Sequence, residues 1–176
     1  MKKLCIIFLT SIIIILAAVG VSTQGGATPP VNTEYLRIHI RADSNEREAQ
    51  AVKYLVKDEV VAYLTPLVAE YETRLEAVLG VESHLRDIES VAKRALERNG
   101  FSYGAKANLK TEAFPTRIYE DCTLPAGEYL ALIIELGAGA GDNWWCVVYP
   151  PLCFTSGNGN IVYKSKILEI VRNWKK

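Results

Sequence analysis

The sequence has no surplus of charge. Lys+Arg and Asp+Glu number 20 each, for a formal net charge of 0. A protein whose main partner is nucleic acid needs a basic excess to neutralise phosphates, so that class is excluded. Histidine is scarce, with two residues, His39 and His84. The four cysteines are Cys5, Cys122, Cys146 and Cys153. No CxxC or HExxH spacing occurs, which leaves a zinc site without support, and neither metal nor cofactor is expected. No internal repeat is visible. At 176 residues the chain is long enough for one ordinary domain and too short for two. Hydrophobic residues make up 49% and charged ones 23%, a balance that excludes a disordered chain.

Part of the apolar share sits in one block. Lys2 and Lys3 precede an uncharged run over residues 4–21, and the next charge is Glu34. A basic start followed by a long apolar stretch is the secretory pattern. At 1.5 Å per residue the run reaches about 27 Å, marginal against a bilayer core of about 30 Å. A signal peptide, with small residues for cleavage after Gly20 or Ala27, and an uncleaved anchor both fit; a buried soluble helix is the plainer alternative. In the first two cases the positive flank puts the rest of the protein outside the cytoplasm. Residues 25–30 read as a linker. The expected organisation is a targeting segment with linker over residues 1–30 and a single exported domain over residues 31–176. Without Lys2 and Lys3 that domain carries 18 positive and 20 negative residues, a net charge of −2. Membrane contact is therefore expected only through the N-terminal segment.

Residues 35–42 alternate as a strand does, with Leu36, Ile38, Ile40 and Ala42 on a buried face and Tyr35, Arg37, His39 and Arg41 on an exposed one. Asp43 with Glu46 resembles a capping box, and a helix is expected to about Thr65, with Pro66 marking its end or a new start. Its apolar stripe is Val52, Leu55, Val56, Val60, Tyr63 and Leu64. Thr73 and Glu76 form a second capping box. A long helix should follow, with Leu75, Val78, Leu79, Leu85, Ile88, Ala92, Ala95 and Leu96 inward, broken near Gly80 and stopped by Asn99-Gly100. The period then falls from 3.6 to 2. Strands are expected over residues 105–111, 116–119, 128–136 and 144–149, the last two joined by a hairpin loop over 137–143. Residues 156–160 read as a turn and 161–174 as a terminal helix. Helices and strands are grouped rather than alternating. The fold class expected is α+β, a mainly antiparallel sheet with helices packed on one face.

Few residues suggest chemistry. Gly137-x-Gly139-x-Gly141 invites a phosphate-loop reading but lacks the lysine and the following helix that such loops need. His39, between Arg37 and Arg41, reads as a general base, a partner contact or a histidine without a role. A Cys153–His39 nucleophile pair has no local signature. Asn143-Trp144-Trp145-Cys146 is the most unusual stretch. Adjacent tryptophans on a strand point to opposite faces, so either one is core and the other an exposed anchor, or both are covered. Cys146 and Cys153 bracket Tyr-Pro-Pro-Leu, and a disulfide between them is expected in an exported protein. Cys122 is then the odd cysteine of the exported part.

Two stretches are similar to a known family. Residues 37–44, Arg-Ile-His-Ile-Arg-Ala-Asp-Ser, with Gln50 and Val52-Lys53, resemble the N-terminal motif of stage II sporulation protein R. Residues 114–154, FPTRIYEDCTLPAGEYLALIIELGAGAGDNWWCVVYPPLCF, resemble the main signature of the same family. Asp43 departs from the family's more frequent Asn. The resemblance implies a non-enzymatic signal of endospore formation, exported from the forespore into the space between two membranes. There it activates, by binding, a membrane-embedded aspartic protease of the mother cell, which then processes a sigma-factor precursor. The residues offered to that partner are Arg37, His39, Arg41 and Asp43 on the first strand and its turn, and Asn143, Trp144 and Trp145. The alternative is an exported hydrolase of cell wall or peptide using Cys153 or an acidic pair.

Overall fold

The computed structural model describes residues 31–119 and 122–154. The expected targeting segment, the turn over 156–160 and the helix over 161–174 lie outside the described residues. The elements in sequence order are β1 (Asn32–Arg41), α1 (Arg47–Val68), α2 (Arg74–Ser83), α3 (Leu85–Arg98), β2 (Ala105–Phe114), β3 (Arg117–Tyr119), β4 (Cys122–Leu124), β5 (Gly127–Leu136) and β6 (Asn143–Tyr149). The main sheet has the order β2-β5-β1-β6. β2 pairs antiparallel with β5 over ten residue pairs, from Ala105–Leu136 to Phe114–Gly127. β1 pairs antiparallel with β6 and parallel with β5. β3 and β4 form a separate two-stranded ribbon. The fold is α+β with a mainly antiparallel sheet, as the grouping of elements predicts.

The three helices share one face of the sheet. α1 buries Val52, Val56, Val60, Leu64 and Val68, a residue every fourth position, and α3 buries Ile88, Ala92, Ala95 and Leu96. These side chains meet Leu36, Ile38, Ile40, Leu132, Ile134, Leu136, Cys146 and Val148 from the sheet in one continuous core. Each such Val, Leu or Ile removed from water contributes roughly 1.5–3 kcal/mol. The two central strands are covered on both faces. Ala131, Leu132, Ile133 and Ile134 are therefore all buried, and their run reads as continuous rather than alternating.

The helix boundaries differ from the sequence expectation in three places. α1 runs through Pro66 to Val68. The extra turn places Val68 in the core at 1% exposure, which offsets the hydrogen bond that proline cannot make. The break in the second helical stretch falls at His84 rather than near Gly80. Gly80 lies inside α2, and the Tyr71 ring packs where a side chain would stand. The capping box at Thr73 and Glu76 is present, but Leu75 and Leu79 of the expected stripe are exposed, and Ala77 and Val81 are buried in their place. Asp43 does not cap α1: the N-cap is Glu46, whose side chain makes no capping bond.

Two larger differences concern the sheet. Residues 137–142 are not a hairpin, since β1 lies between β5 and β6. The loop crosses over the end of β1 instead. The face of β1 carrying Arg37 and His39 is not exposed: both residues have 0% exposure. That face is covered by Phe114, Tyr129 and Trp145 and by contacts from the β3–β4 ribbon.

Candidate functional site

The crossing loop and the turn after β1 are locked together. Asp43 Oδ1 accepts from the Ala138 N–H at 2.7 Å, and the Asp43 carbonyl accepts from Ala140 at 3.1 Å. The Ala42 carbonyl accepts from Gly141 at 2.9 Å, and Asn45 Oδ1 from Asp142 at 2.7 Å. Gly137 and Gly139 have φ of +57° and +61°, and a Cβ on Gly137 would overlap the Asp43 carboxylate. One on Gly141 would overlap the Ser44 carbonyl. The glycines thus permit close approach of two backbone segments. The N–H groups of Ala138, Ala140, Gly141 and Asp142 are all engaged by the turn, so this loop does not cradle a phosphate.

α1 braces the same lock. Gln50 Nε2 donates to the Ser44 carbonyl at 2.9 Å and to Asn45 Oδ1 at 3.1 Å. Lys53 Nζ donates to Gln50 Oε1 at 2.7 Å and to the Asp142 carbonyl at 3.0 Å. Lys53 is 1% exposed, and its burial lowers the ammonium pKa against the pull of Asp142. Asp43, Gln50 and Lys53, all within the N-terminal stretch of the resemblance, therefore hold the loop that carries the second motif.

Beyond the lock, the second face of the sheet holds a polar network. Strand register sets His39 beside Trp145 on β6, with Ile133 of β5 on its other side. One imidazole nitrogen, Nδ1, lies 2.9 Å from Asn143 Oδ1, and Nε2 lies 2.5 Å from Glu112 Oε2. Arg41 donates to Asn143 at 3.3 Å, to Glu135 at 3.1 Å and to both oxygens of Glu112. Burial lowers the His39 pKa, outweighing Asn143 and Glu112, which pull it up. For Glu112 burial raises the pKa, but His39, Arg41 and Lys110 together outweigh it and leave the carboxyl below its ordinary value.

Aromatic rings surround this network. His39 stacks on Trp145 at 4.8 Å between centroids and meets Phe114 edge-on at 5.5 Å. The Arg37 guanidinium lies 4.3 Å from the Phe114 centroid and 4.9 Å from that of Tyr129. Its Nη2 donates to Tyr119 Oη at 3.0 Å. Trp144 packs against the helix-side core and Lys57 lies over its ring, at 5.9 Å. Both tryptophans are half-buried, each on its own face of the sheet, so neither is a fully exposed anchor.

The arrangement carries little that reacts. Both nitrogens of His39 are bound, so neither is open to a substrate proton. Cys153 is joined to Cys146, at a Cα–Cα distance of 6.3 Å, which removes it as a nucleophile. The disulfide is the one expected, and Cys122 on β4 stands outside it. Among the described residues no group of three or more His, Cys, Asp or Glu residues is placed to hold a metal ion. A cleft of about 320 Å³ lies elsewhere, lined by Leu55, Asp58, Glu59 and Ala62 of α1 and by Ala95 and Asn99.

Of the residues expected to face a partner, Arg41, Asp43, Asn143, Trp144 and Trp145 are partly accessible, and Arg37 and His39 lie behind them, fully buried. Sequence reasoning did not find Glu112, Glu135, Phe114, Arg117 or Tyr119 as members of this site. Glu112 is 73 positions from His39. The one available signal, polar residues at every second position of β2, gives a face but not the strand beside it.

The model of the family "Stage II sporulation protein R" matches residues 32–158. A Bacillus subtilis (strain 168) protein named stage II sporulation protein R is 34% identical over 170 residues, covering 92% of this sequence and 76% of that protein. No solved structure matches the protein.

Proposed function

The chain belongs to the stage II sporulation protein R family, and from that premise we propose that it is a secreted signal of endospore formation that acts by binding. Its role in sporulation follows from the family; the family name carries no enzymatic activity. In this reading the protein leaves the forespore, enters the intermembrane space and activates a membrane-embedded aspartic protease of the mother cell. That protease then cuts the sigma-factor precursor. The contact surface is formed by Arg41, Asp43, Asn143 and Trp145 and continues around β6 to Trp144 on the helix side, with Arg37 and His39 setting its shape from behind Trp145.

The observation that supports binding over catalysis is the state of the polar network. Its histidine, its carboxylates and its arginine are all engaged with one another. Such a network fixes a surface and leaves no group to attack a substrate. The hydrolase reading has lost its one named residue, since Cys153 is in a disulfide, and the two carboxylates of the network, Glu112 and Glu135, are both held by Arg41. Among the described residues no helix is long and apolar enough to cross a membrane.

The test is reconstitution. Co-expression of this protein, the protease and the sigma-factor precursor should yield processed sigma factor, and leaving this protein out should abolish it. Processing at the same rate in its absence would refute the reading.

A further inference from the structure

Arg37 is the group on the second face that the polar network leaves out. It is 0% exposed, yet its Nε and Nη1 have no hydrogen-bond partner among the described residues. Among the described residues its one side-chain hydrogen bond is to a phenol, Tyr119 Oη. Among the described residues the carboxylates of the network are taken, Glu112 by His39 and Arg41, and Glu135 by Arg41. On β3, the Arg117 guanidinium lies 5.4 Å from the Trp145 centroid, and its Nε is likewise buried without a partner. Two guanidinium groups therefore converge on one aromatic cluster of Phe114, Tyr129 and Trp145 with N–H groups left open. Ring faces offset part of the desolvation of a buried cation but do not replace an anion.

We propose that Arg37, assisted by Arg117, is the receptor for a carboxylate of a protein partner, presented beside an apolar side chain that packs on Phe114, Tyr129 or Trp145. Arginine among aromatic rings suits this ligand, because the guanidinium pairs with the carboxylate while the rings exclude water. Access runs beneath the β3–β4 ribbon. Its strands have three residues each and pair with each other, not with the main sheet. A two-stranded ribbon is marginal by itself, so it can yield to an incoming segment. Ile118, 81% exposed on its outer side, gives a partner an apolar hold on the ribbon. The carboxylate has two sources, an acidic residue of the partner or the partner's terminal carboxylate. This inference rests on the reading that the protein acts by binding another protein.

The test uses the full-length protein and small probes. The Arg37 Nε–H and Trp145 indole N–H resonances are followed by NMR during titration with N-acetylphenylalanine, its amide, and N-acetylglutamate α-amide. A saturable shift with a carboxylate probe and none with the phenylalanine amide is expected. Saturation by the glutamate probe assigns an acidic residue, and saturation by N-acetylphenylalanine alone assigns a terminal carboxylate. Arg37→Met should weaken the Trp145 response at least about tenfold, the loss of one charge-assisted hydrogen bond. Arg37→Met with Tyr119→Phe removes both partners of the one internal bond, and its thermal midpoint should equal or exceed that of the parent. No saturable shift, an equal shift with the amide, or a lower midpoint in the double variant overturns the proposal. The last result would mean that Arg37 is paired within the protein itself. Because the probes bind the isolated protein, a failed titration leaves the reconstitution result untouched, and the converse holds.

Discussion

His39 is held at both ring nitrogens inside a fully buried site. Its folded-state pKa lies below the ordinary 6.5 because burial disfavours the cation. Below about pH 6.5 the unfolded state therefore binds a proton that the folded state resists. The stability due to this group is complete above about pH 6.5 and is lost as pH falls towards the folded value. The urea midpoint should fall between about pH 7 and pH 5, and the fall should be smaller in His39→Gln. Glu112 acts lower: its depressed pKa contributes stability that is lost only as pH drops below its ordinary 4.5. A urea midpoint for His39→Gln that varies with pH as steeply as the parent's would assign the slope to other groups. Asp43 gives a second prediction at this scale. Asp43→Asn retains an oxygen to accept from Ala138, and its thermal midpoint should match the parent closely. Asp43→Ala leaves that N–H without its partner and should cost about 1–2 kcal/mol in urea unfolding.

At the scale of elements, the crossing loop owes its path to glycine. Gly137→Ala combines a φ of +57° with overlap on the Asp43 carboxylate. It should destabilise by about 2 kcal/mol or more by chemical denaturation, whereas Gly104→Ala, with open space around it, should stay within roughly 0.5 kcal/mol. Equal effects of the two substitutions would mean that the lock between this loop and the β1–α1 turn is not rigid. The helices show how sequence signals compete. The box at Thr73 and Glu76 formed because its bonds are local, within four residues. The signal at Asp43 yields no cap because a distant loop claims the same carboxylate. Leu75 and Leu79 fit a helical stripe, but the side of α2 that meets the sheet is set by Ala77 and Val81.

At the scale of the whole molecule, the disulfide ties the end of β6 to the segment that follows it. Cys146 and Cys153 are seven positions apart, and closing so short a loop contributes about 2–3 kcal/mol in the loop-entropy account. Cys153→Ser should lower the stability in urea by that amount, and reducing agent should bring the parent to the same value and leave the variant unchanged. Mass mapping of the oxidised protein should recover the two cysteines as one linked peptide. The sheet itself is assembled from distant pieces. β1 is the first of the described elements and ends up between β5 and β6, paired parallel with one and antiparallel with the other. That position buries both of its faces and brings His39, Glu112 and Asn143 together.

By itself the sequence determined what depends on neighbours along the backbone. Alternation marked β1, strand-forming runs between turn signals marked β2, β5 and β6, helical spacing marked α1 and α3, Asn99-Gly100 marked the stop of α3, and Cys146 and Cys153 were close enough to be paired. The grouping of these elements was sufficient for the fold class. The tertiary structure decided which strands lie side by side, and hence that residues 137–142 cross over β1 rather than turn a hairpin. It also decided that Arg37 and His39 are inside. Alternation along one strand shows two faces but cannot say whether the polar one will be covered. The cover comes from β2, β6 and the ribbon, and the residues that reach His39 and Arg37 from β2 and the ribbon, Glu112 and Tyr119, are 73 and 82 positions further along. Arg37 looked like a surface arginine for that reason, and only its surroundings of Phe114, Tyr119 and Tyr129 make it a buried cation with open N–H groups.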